Sequence, residues 1–565
     1  MMFNIVEFFS GIGSQAKALK NLGIQINTLG TSEWDVHAIV AYDLIHNQNA
    51  GELPEEIQNM SKEELLNKLR KFTFSNSGKK ELEYSSFKTY SVDVLRRIYL
   101  SIVRNRNYVD ISSLNGEEMD DGIDLLTYSF PCQDLSNVGA FHGYNKGIDK
   151  NSGSRSSLLW QVGRILTEMK NSGKNLPRFL LMENVPTLLS DRHFSNFSTW
   201  ICDLKELGYI SKYYQLNASD FGLPQNRPRL LMISVYVGDD EEKMQLVLDY
   251  FRMKSETEVI QDYKSSKFFR EILVEELLRT DYNNQTLFDE AVDCTPNDTA
   301  SRRKIWDENP KIVLPGYRFN PEITVIRTIT TKQDRNPNSG NLYFDSGIEG
   351  KSQFRYLTPR ECMLFMGFSD ADYEVLKQNN VEFHKGDALF ARDKVIRMAG
   401  NSIPVKLLEG VFLQIMKIDS ILKDYENFRH AKAMEICRED LVKFIRSELF
   451  RRKIRCRQGE IVGPEDADIF YPKYNTAIFI EECFGYGHDC HLSHFTEENR
   501  EFWDSWESEK NNVLEAKIRN AKREGWHTIR VWDCELTGDK AYDTVQRIEK
   551  ELRVNQSRGR HKEYN

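Results

Sequence analysis

The chain lacks the features that would place it in a membrane or in an oxidising compartment. No apolar run in its 565 residues reaches the length that spans a bilayer. The first residues, Phe3–Phe9, are typical of a strand, and no basic region or small-residue cleavage site accompanies them as in a secretory signal. The nine cysteines are odd in number and scattered, which argues against a disulfide framework. We therefore expect a cytoplasmic protein with no membrane partner.

An excess of positive charge is also missing. The formal net charge is −9, so the overall balance does not indicate nucleic acid, and any such surface must be a local basic patch. Otherwise the composition is ordinary for a soluble globular protein, with 40% hydrophobic and 28% charged residues. The length exceeds what one hydrophobic core supports, and we expect about two to four domains.

One cysteine, Cys132, stands out by its position. It follows the hydrophobic run Ile123–Thr127, which is typical of a buried strand in a parallel sheet, and Pro131 ends that strand. Ligands of open α/β sheets bind at the carboxyl ends of the strands. A thiol held there is a candidate nucleophile. A buried structural cysteine is the alternative.

Other segments place suitable groups at the same predicted edge. The first strand runs into the turn Gly11–Gly13, which would let a nucleotide-like ligand approach the backbone closely. The second predicted strand, near Ile26–Thr31, is followed by Glu33 and Trp34. A carboxylate there could hold ribose hydroxyls, and the indole could stack on a purine. An unremarkable turn, and a helix N-cap beside a core tryptophan, are the alternatives.

Further charged residues occur at predicted strand ends. The run Tyr90–Asp93 is strand-like and ends in a carboxylate. A hydrophobic strand ends in Glu183, which we expect to face the same pocket as Cys132, as an acid beside a nucleophile. Arg227 and Arg229 open the next predicted strand. Because they are spaced by one residue they point the same way, which suits a phosphate or a carbonyl.

Seven motifs carry these residues in a fixed order. They are Phe9-Ser10-Gly11-Ile12-Gly13, Glu33-Trp34, Phe130-Pro131-Cys132-Gln133, Glu183-Asn184-Val185, Gln225-Asn226-Arg227-Pro228-Arg229, Arg355-Tyr356-Leu357-Thr358-Pro359-Arg360-Glu361 and Gly400-Asn401-Ser402-Ile403-Pro404. The series resembles the C5-cytosine DNA methyltransferases over about residues 1 to 420. The resemblance implies an α/β, Rossmann-like, AdoMet-dependent catalytic domain at 1–237 and 385–420. A small target-recognition region is inserted at 238–384.

The same resemblance implies roles for single residues. Contacts with AdoMet are expected at Phe9, Gly11, Ile12, Gly13, Glu33, Trp34, Asp93, Pro131 and Asn401. Cys132 is expected to attack C6 of a cytosine flipped out of duplex DNA, while Glu183 binds or protonates N3. Arg229 or Arg227 is expected to hold the ring carbonyl. A restriction endonuclease of the same system is an expected partner. An RNA methyltransferase and a DNA-binding regulator of this fold are the alternatives.

Residues 430–565 form a second expected domain with a candidate metal site. Cys483, His488, Cys490 and the distant Cys534 make a tetrahedral structural zinc set. Core cysteines beside a solvent-exposed histidine are the alternative. Together with the flanking sequence from Asp468, this set resembles the very-short-patch repair endonucleases. The resemblance implies a C-terminal α/β restriction-endonuclease-like domain.

The match to that second family is partial. Asp468 falls on the family's metal-binding aspartate, but Glu481 stands at the catalytic histidine and Gly485 at the intercalating tryptophan. Asp468 at a strand start, with Glu481 or Glu482 at the end of the next strand, is also the carboxylate pairing that a Mg²⁺ nuclease uses. Three interpretations stay open: a nuclease of altered specificity, an inactive DNA-binding zinc domain, and mismatch repair. For the whole chain, the rival is an endonuclease whose methyltransferase half recognises the site.

Overall fold

The computed structural model describes most of the chain. The described residues are 2–47, 51–131, 155–335, 337–384, 386–432, 438–455, 464, 466–483, 488, 497–538 and 540–558. They divide into two compact units, Met1–Ile415 and Met416–Asn565. Cys132, Gly485 and Cys490 lie outside the described residues. The finer division of the first unit into catalytic and target-recognition domains stays a prediction.

The strands in the first part of the chain build one open sheet. They are β1 (Phe3–Phe8), β2 (Ile26–Ser32), β3 (Leu125–Tyr128), β4 (Phe179–Asn184), β5 (Tyr209–Asn217), β6 (Gln225–Asn226) and β7 (Pro228–Tyr236). All except β6 belong to the sheet, in the order β2-β1-β3-β4-β7-β5. The first four strands in that order are parallel, and β7 is antiparallel to both of its neighbours. The expected α/β, Rossmann-like fold is confirmed.

Helices connect and cover these strands. In the first unit they are α1 (Ser14–Asn21), α2 (Val36–His46), α3 (Glu55–Gln58), α4 (Lys62–Leu69), α5 (Tyr84–Phe87), α6 (Val92–Arg104), α7 (Leu159–Asn171), α8 (Asp191–Glu206), α9 (Glu241–Met253), α10 (Glu256–Lys264), α11 (Val274–Leu277), α12 (Gln285–Asp293), α13 (Ala300–Glu308), α14 (Pro359–Phe365), α15 (Asp370–Gln378) and α16 (Arg392–Asn401). Helix α17 (Val405–Lys432) begins in the first unit and ends in the second. No helix in the described ranges is long and apolar enough to cross a membrane.

The central strands are apolar because both of their faces are covered. Every residue of β3 and β4 is buried, as expected for strands inside a parallel sheet. On β4, Leu180 and Met182 pack into a core with side chains of α7 and α8. Because side chains alternate along a strand, Leu181 and Glu183 point to the opposite face. Glu183 thus reaches the end of the sheet on the side away from that core.

The strand expected at Tyr90–Asp93 is wrong. Helix α6 begins at Val92, and the Ser91 side chain caps it by accepting a hydrogen bond from the Val94 N–H at 3.2 Å. Asp93 lies in the first helical turn, where a carboxylate is stabilised by the helix dipole, and it pairs with Arg96 at 3.3 Å. The apolar residues from Val94 onward follow the helical period, which the four-residue run was too short to show.

Short strands occupy the region between β7 and α16. They are β8 (Lys311–Val313), β9 (Ile326–Arg327), β10 (Asn341–Tyr343), β11 (Phe354–Arg355), β12 (Glu382–His384) and β13 (Asp387–Ala388). They form the small sheets β11-β10-β8, β12-β13 and β6-β9. In the last of these, Gln225 pairs with Ile326 and Asn226 with Arg327. Strand β9 of the expected target-recognition region therefore lies beside the two residues that immediately precede Arg227.

A buried ion pair joins the two ends of the motif Arg355–Glu361 in this region. The two Nη atoms of Arg355 lie 2.7 and 2.8 Å from the Glu361 carboxylate, and both side chains are fully buried. Glu361 also accepts hydrogen bonds from the backbone N–H groups of Thr358 and Arg279. A buried carboxylate tolerates desolvation when its oxygens are satisfied in this way. The pair therefore fixes the start of α14 against the segment before α12.

The second unit is a smaller α/β arrangement. Its strands are β14 (Ile469–Tyr471), β15 (Thr476–Glu481) and β16 (His527–Trp532), and its further helices are α18 (Arg438–Arg451), α19 (Arg500–Arg523) and α20 (Lys540–Arg558). Strand β15 lies in the centre, antiparallel to β14 and parallel to β16. Side chains of α18 and α20 cover one face of the sheet, and those of α19 cover the other. The endonuclease-like character of this unit stays a prediction.

Candidate active site

A cavity of about 420 Å³ lies at the carboxyl ends of β1 to β4. The residues from the sequence analysis that line it are Phe9, Gly11, Ile12, Glu33, Trp34, Pro131, Glu183, Arg227, Arg229 and Asn401. Those from β1 to β4 converge because parallel strands end at one edge of the sheet, and the start of the antiparallel strand β7 brings Arg229 to the same edge. Two expected residues, Gly13 and Asp93, are described by the structure and are not in the lining. Cys132 lies outside the described residues and is next in sequence to Pro131.

Gly13 is needed for packing and not for close approach of a ligand. Its φ is +78°, and a Cβ there would lie 2.2 Å from His46 Nε2. Burial lowers the pKa of His46 to about 3, so the ring is neutral and its Nε2–H donates to the Ile12 carbonyl at 2.9 Å. A Cβ at Gly11, by contrast, would meet no described atom within 4 Å, and Gly11 lines the cavity. The two glycines of the turn therefore serve different purposes.

Glu33 is held rigidly at the wall of the cavity. One carboxylate oxygen accepts the Gly11 N–H at 3.0 Å, and the other accepts the Asp35 N–H at 2.8 Å. Burial raises the pKa of Glu33 to about 7, and the charge of Asp35 adds to the shift. The two backbone donors favour the ionised form. This carboxylate can accept hydrogen bonds from hydroxyl groups of a ligand.

Asp110 takes the place in the cavity that was expected for Asp93. It lines the cavity together with Val109, a residue whose φ is +64°. The turn is fixed by Asn107, whose side-chain oxygen accepts the N–H groups of Val109 at 2.8 Å and of Glu33 at 3.1 Å. In the sequence, Asp110 is marked only as an acidic residue between two apolar ones, Val109 and Ile111. The run before Asp93 is more typical of a strand, and this explains the wrong assignment.

Glu183 lies between two side chains at the end of β4. Arg229 Nε is 2.8 Å from Oε1, and the Ser129 hydroxyl donates to Oε2 at 2.7 Å. Tyr128 pairs with Met182 in the parallel register of β3 and β4, so the residues that follow, Ser129 and Glu183, lie side by side. Glu183 and Arg229 were expected at this place, whereas Ser129 was missed. A serine before an apolar residue gave no signal of its own.

Arg227 and Arg229 do not have the same task. Arg227 is almost fully buried and donates to three backbone carbonyls, those of Ile329, Gly400 and Ser402, at 2.7 to 2.8 Å. It therefore links the backbone at Ile329 to the loop Gly400–Ser402 beside the cavity. Of the pair, Arg229 is the one in contact with Glu183.

Comparison with known proteins decides the family. The family model of the C-5 cytosine-specific DNA methylases matches residues 69–417. The chain belongs to this family. Methylation of DNA cytosine at C5 is the reaction of these methylases, and AdoMet is their cofactor.

Relatives of this methylase match it over about three quarters of its length. The type II methyltransferase M2.ScrFI of Lactococcus lactis subsp. cremoris is 28% identical over 424 residues, which are 74% of this chain and 99% of the relative. The orphan methyltransferase M.SssI of Spiroplasma monobiae is 31% identical over 415 residues, 73% of this chain and 96% of the relative. The solved S. pombe Dnmt2 methyltransferase is 16% identical, with a TM-score of 0.41 over 73% of this chain and 97% of that one.

The second unit of this methylase gathers three of the four expected zinc ligands. Ligand atoms of Cys483, His488 and Cys534 lie within 4.8 Å of one another. Cys483 follows the end of β15 and Cys534 the end of β16, and these strands are parallel neighbours. Trp532 stacks on the His488 ring, with centroids 4.5 Å apart. Two thiols and an imidazole are a donor set that suits zinc. The fourth expected ligand, Cys490, lies outside the described residues.

The expected magnesium pair lies on the same small sheet. Asp468 precedes β14, and its Oδ2 accepts the Ile480 N–H at 2.7 Å. Glu481 is the last residue of β15 and is buried. The hydrogen bond to Ile480 thus brings Asp468 to the end of β15 that carries Glu481.

A clamp around Arg397 joins three segments of the cofactor side. Arg397 Nη2 lies 2.7 Å from Asp35 Oδ2, and Nη1 donates to the Asn76 carbonyl at 2.9 Å. Asp35 follows Glu33 and Trp34, and the Asn76 loop continues to Gly78, which lines the cavity. Arg397 itself is on α16, one turn before Asn401. It therefore links helix α16 to the lining segments around Asp35 and Gly78.

We expect Arg397→Met to weaken AdoMet binding about tenfold, because the walls lose a charge-assisted hydrogen bond that holds them together. Isothermal titration with AdoMet measures this, with DNA affinity measured beside it. Lys394→Met, on the same helix, is the matched control because Lys394 pairs with the exposed Asp393. An unchanged AdoMet affinity in the Arg397 variant would contradict the clamp.

Proposed function

We propose that this methylase transfers the methyl group of AdoMet to C5 of a cytosine flipped out of a specific duplex DNA site, through a covalent bond between Cys132 and C6. The observation that supports this most is the meeting of Glu183, Arg229 and Ser129 in the cavity that Pro131 also lines. Glu183, the proposed acid, and the two side chains that orient it thus line the same cavity as Pro131, the residue before the proposed nucleophile Cys132.

The residues of the cavity fit AdoMet. Its volume of about 420 Å³ is within the range of small-molecule sites. Phe9, Gly11, Ile12, Glu33, Trp34, Asp110, Pro131 and Asn401 are the residues that we assign to it. Gly11 leaves room for a ligand against the backbone, Glu33 suits ribose hydroxyls and Trp34 suits the adenine ring. When bound there, AdoMet supplies the electrophilic methyl group.

The protein supplies the activation of the base. C5 of cytosine is too weak a nucleophile to take a methyl group directly, so the Cys132 thiolate first adds to C6. The C5–C6 π electrons form a C4–C5 double bond, the former C4–N3 π electrons take a proton from Glu183 at N3, and the resulting enamine is nucleophilic at C5. After methylation, the C5 proton leaves to water, the C6–S bond breaks to release the thiolate, the C5–C6 double bond re-forms, and N3 returns its proton to Glu183. General-acid help of this kind contributes about 10²–10⁴-fold.

The target base has to leave the helix first. Unpairing and unstacking cost a few kcal/mol, which contacts with the protein must offset. The named relative M2.ScrFI is a type II methyltransferase, and we assign this chain to a restriction–modification system, with a restriction endonuclease as partner. Methylation of RNA in place of DNA is the competing outcome of the assays below.

Cys132→Ser should abolish methyl transfer and leave AdoMet binding intact. A serine hydroxyl is far less ionised than a thiol, so kcat should fall by at least about 10³-fold, as when other enzymes lose their nucleophile. Transfer of labelled methyl groups to duplex DNA measures turnover, and titration measures AdoMet affinity. Cys202→Ser is the control, because Cys202 is exposed on α8. Turnover retained by the Cys132 variant would overturn the nucleophile assignment.

For the second unit we propose a zinc-stabilised nuclease domain. Cys483, His488, Cys490 and Cys534 would hold one zinc ion, and Asp468 with Glu481 would hold Mg²⁺. The support is the convergence of three zinc ligands and the hydrogen bond that brings Asp468 to the Glu481 end of β15. The partial resemblance to very-short-patch repair endonucleases supports the same assignment.

Elemental analysis of the purified chain should find about one zinc per molecule. Cys534→Ser should lose most of it and lower the melting temperature of the second unit, because structural zinc sites contribute folding energy. Cys294→Ser, a buried cysteine of the first unit, is the control and should keep its zinc. A full chain without zinc would remove the assignment.

Duplex DNA should be nicked in the presence of Mg²⁺, and Asp468→Asn should abolish the nicking while Cys132→Ser does not. Asp466→Asn is the matched control, because Asp466 is two residues away and pairs with Lys517 on the surface. Nicking confined to T·G mismatches would indicate repair. If the chain contains zinc and binds DNA but does not nick it, the second unit is an inactive binding domain. That result would contradict the nuclease assignment.

A further inference from the structure

The two protein partners of Glu183 differ in one chemical property. Arg229 approaches Oε1 at 2.8 Å, and Ser129 approaches Oε2 at 2.7 Å. A guanidinium can only donate hydrogen bonds, whereas a hydroxyl can donate or accept. An O–H on Oε1 would compete with the donor of Arg229. An O–H on Oε2 is compatible with Ser129, whose hydroxyl can rotate.

This asymmetry matches the edge of cytosine that the enzyme must bind. Cytosine presents N3 as an acceptor beside an amino group that donates. A neutral carboxyl group suits N3 when one oxygen carries the proton and the other accepts from Arg229, the arginine expected to hold the ring carbonyl on the far side of N3 from the amino group. The environment of Glu183 leaves Oε1 as the acceptor and Oε2 as the site of the proton.

We propose that Ser129 is a positioning residue that directs the catalytic proton of Glu183 to Oε2, and so to N3 of the target cytosine. The inference rests on the proposed function. As Cys132 Sγ bonds to C6, the proton moves from Oε2 to N3, and the Ser129 hydroxyl then donates to the ionised Oε2. The proton returns to Oε2 when the C6–S bond breaks. No other reactant is needed for this transfer.

The position of Ser129 is well defined by its neighbours in the chain. Tyr128, the last residue of β3, is buried, and its hydroxyl accepts a hydrogen bond from Trp200 Nε1 at 3.1 Å. On the other side, the Phe130 carbonyl accepts from Asn184 Nδ2 at 3.1 Å. The serine is therefore held between two anchored residues, and Asn184 is the immediate neighbour of Glu183. Such rigidity is what precise placement of a proton requires.

No second charged partner contacts Glu183 in the part of the chain that the structure describes. The charged residues that share the cavity are Glu33, Asp35, Asp110, Arg227 and Arg229. Among them Arg229 pairs with Glu183, Arg227 donates to backbone carbonyls and Asp35 pairs with Arg397. The choice between the two oxygens therefore depends on Arg229 and Ser129.

The test separates base activation from methyl transfer. Adding Cys132 to C6 makes C5 basic, so a duplex carrying tritium at C5 of its target cytosine should release it to water even without AdoMet. Ser129→Ala should lower both this release and kcat by about 10- to 100-fold, within the range of general-acid effects. Affinities for AdoMet and for DNA should stay within about twofold of the unmodified enzyme. Ser129→Thr keeps the hydroxyl and should restore both rates to within about threefold.

Thr127→Val is the matched control, because Thr127 lies two residues before Ser129, on β3, and its buried hydroxyl has no hydrogen-bond partner among the described residues. It should leave both rates unchanged. Should the alanine variant bind neither AdoMet nor DNA, Ser129→Cys, which keeps the side-chain volume, takes its place with the same expected loss.

Two results would overturn the inference: unchanged rates in Ser129→Ala, or equal losses in the alanine and threonine variants. Failure of the proposed function has a different signature. In that case tritium release by the unmodified enzyme would be absent, or would persist in Cys132→Ser.

Discussion

Three backbone carbonyls that are remote in the sequence converge on the guanidinium of Arg227. One belongs to Ile329 in the expected target-recognition region, and the others, from Gly400 and Ser402, flank Asn401. A planar cation with five donors can satisfy several acceptors at once, which lysine cannot do with the same geometry. The loop Gly400–Ser402, the expected target-recognition region and the strand that carries Arg229 are therefore fixed relative to one another. The rest of the site depends on this constraint.

Near Arg227, three acidic side chains of the site each have different hydrogen-bond donors. Arg229 faces Glu183, Arg397 faces Asp35, and Glu33 relies on two backbone N–H groups. The donors of each carboxylate offset the free-energy cost of burying it. Glu33 remains hard to ionise, with its pKa raised to about 7 by burial and by Asp35. A ligand that donates hydrogen bonds to it would favour the charged form. Binding and ionisation at this position are therefore coupled.

The sequence predicted the strand-end geometry well, because hydrophobic runs followed by polar residues mark the edge of a parallel sheet. Glu33, Trp34 and Glu183 follow such runs and line one cavity, and Arg229 joins them because it opens an antiparallel strand at the same edge. The errors have physical causes. Asp93 lies in the first turn of a helix whose period extends beyond the run Tyr90–Asp93. Gly13 is required by packing against His46, 33 positions away, which no local pattern reveals. Ser129 and Arg397 act through tertiary contacts, so their types and spacing carried no signal.

The proposed reaction of this chain is methylation of cytosine at C5 within a defined duplex site. The most direct measurement is transfer of labelled methyl groups from AdoMet to duplex DNA, followed by bisulfite sequencing of the product. We expect protected cytosines in one short sequence context, at a level that approaches completion. Absence of label from DNA while AdoMet binds, or label found on RNA alone, would contradict it.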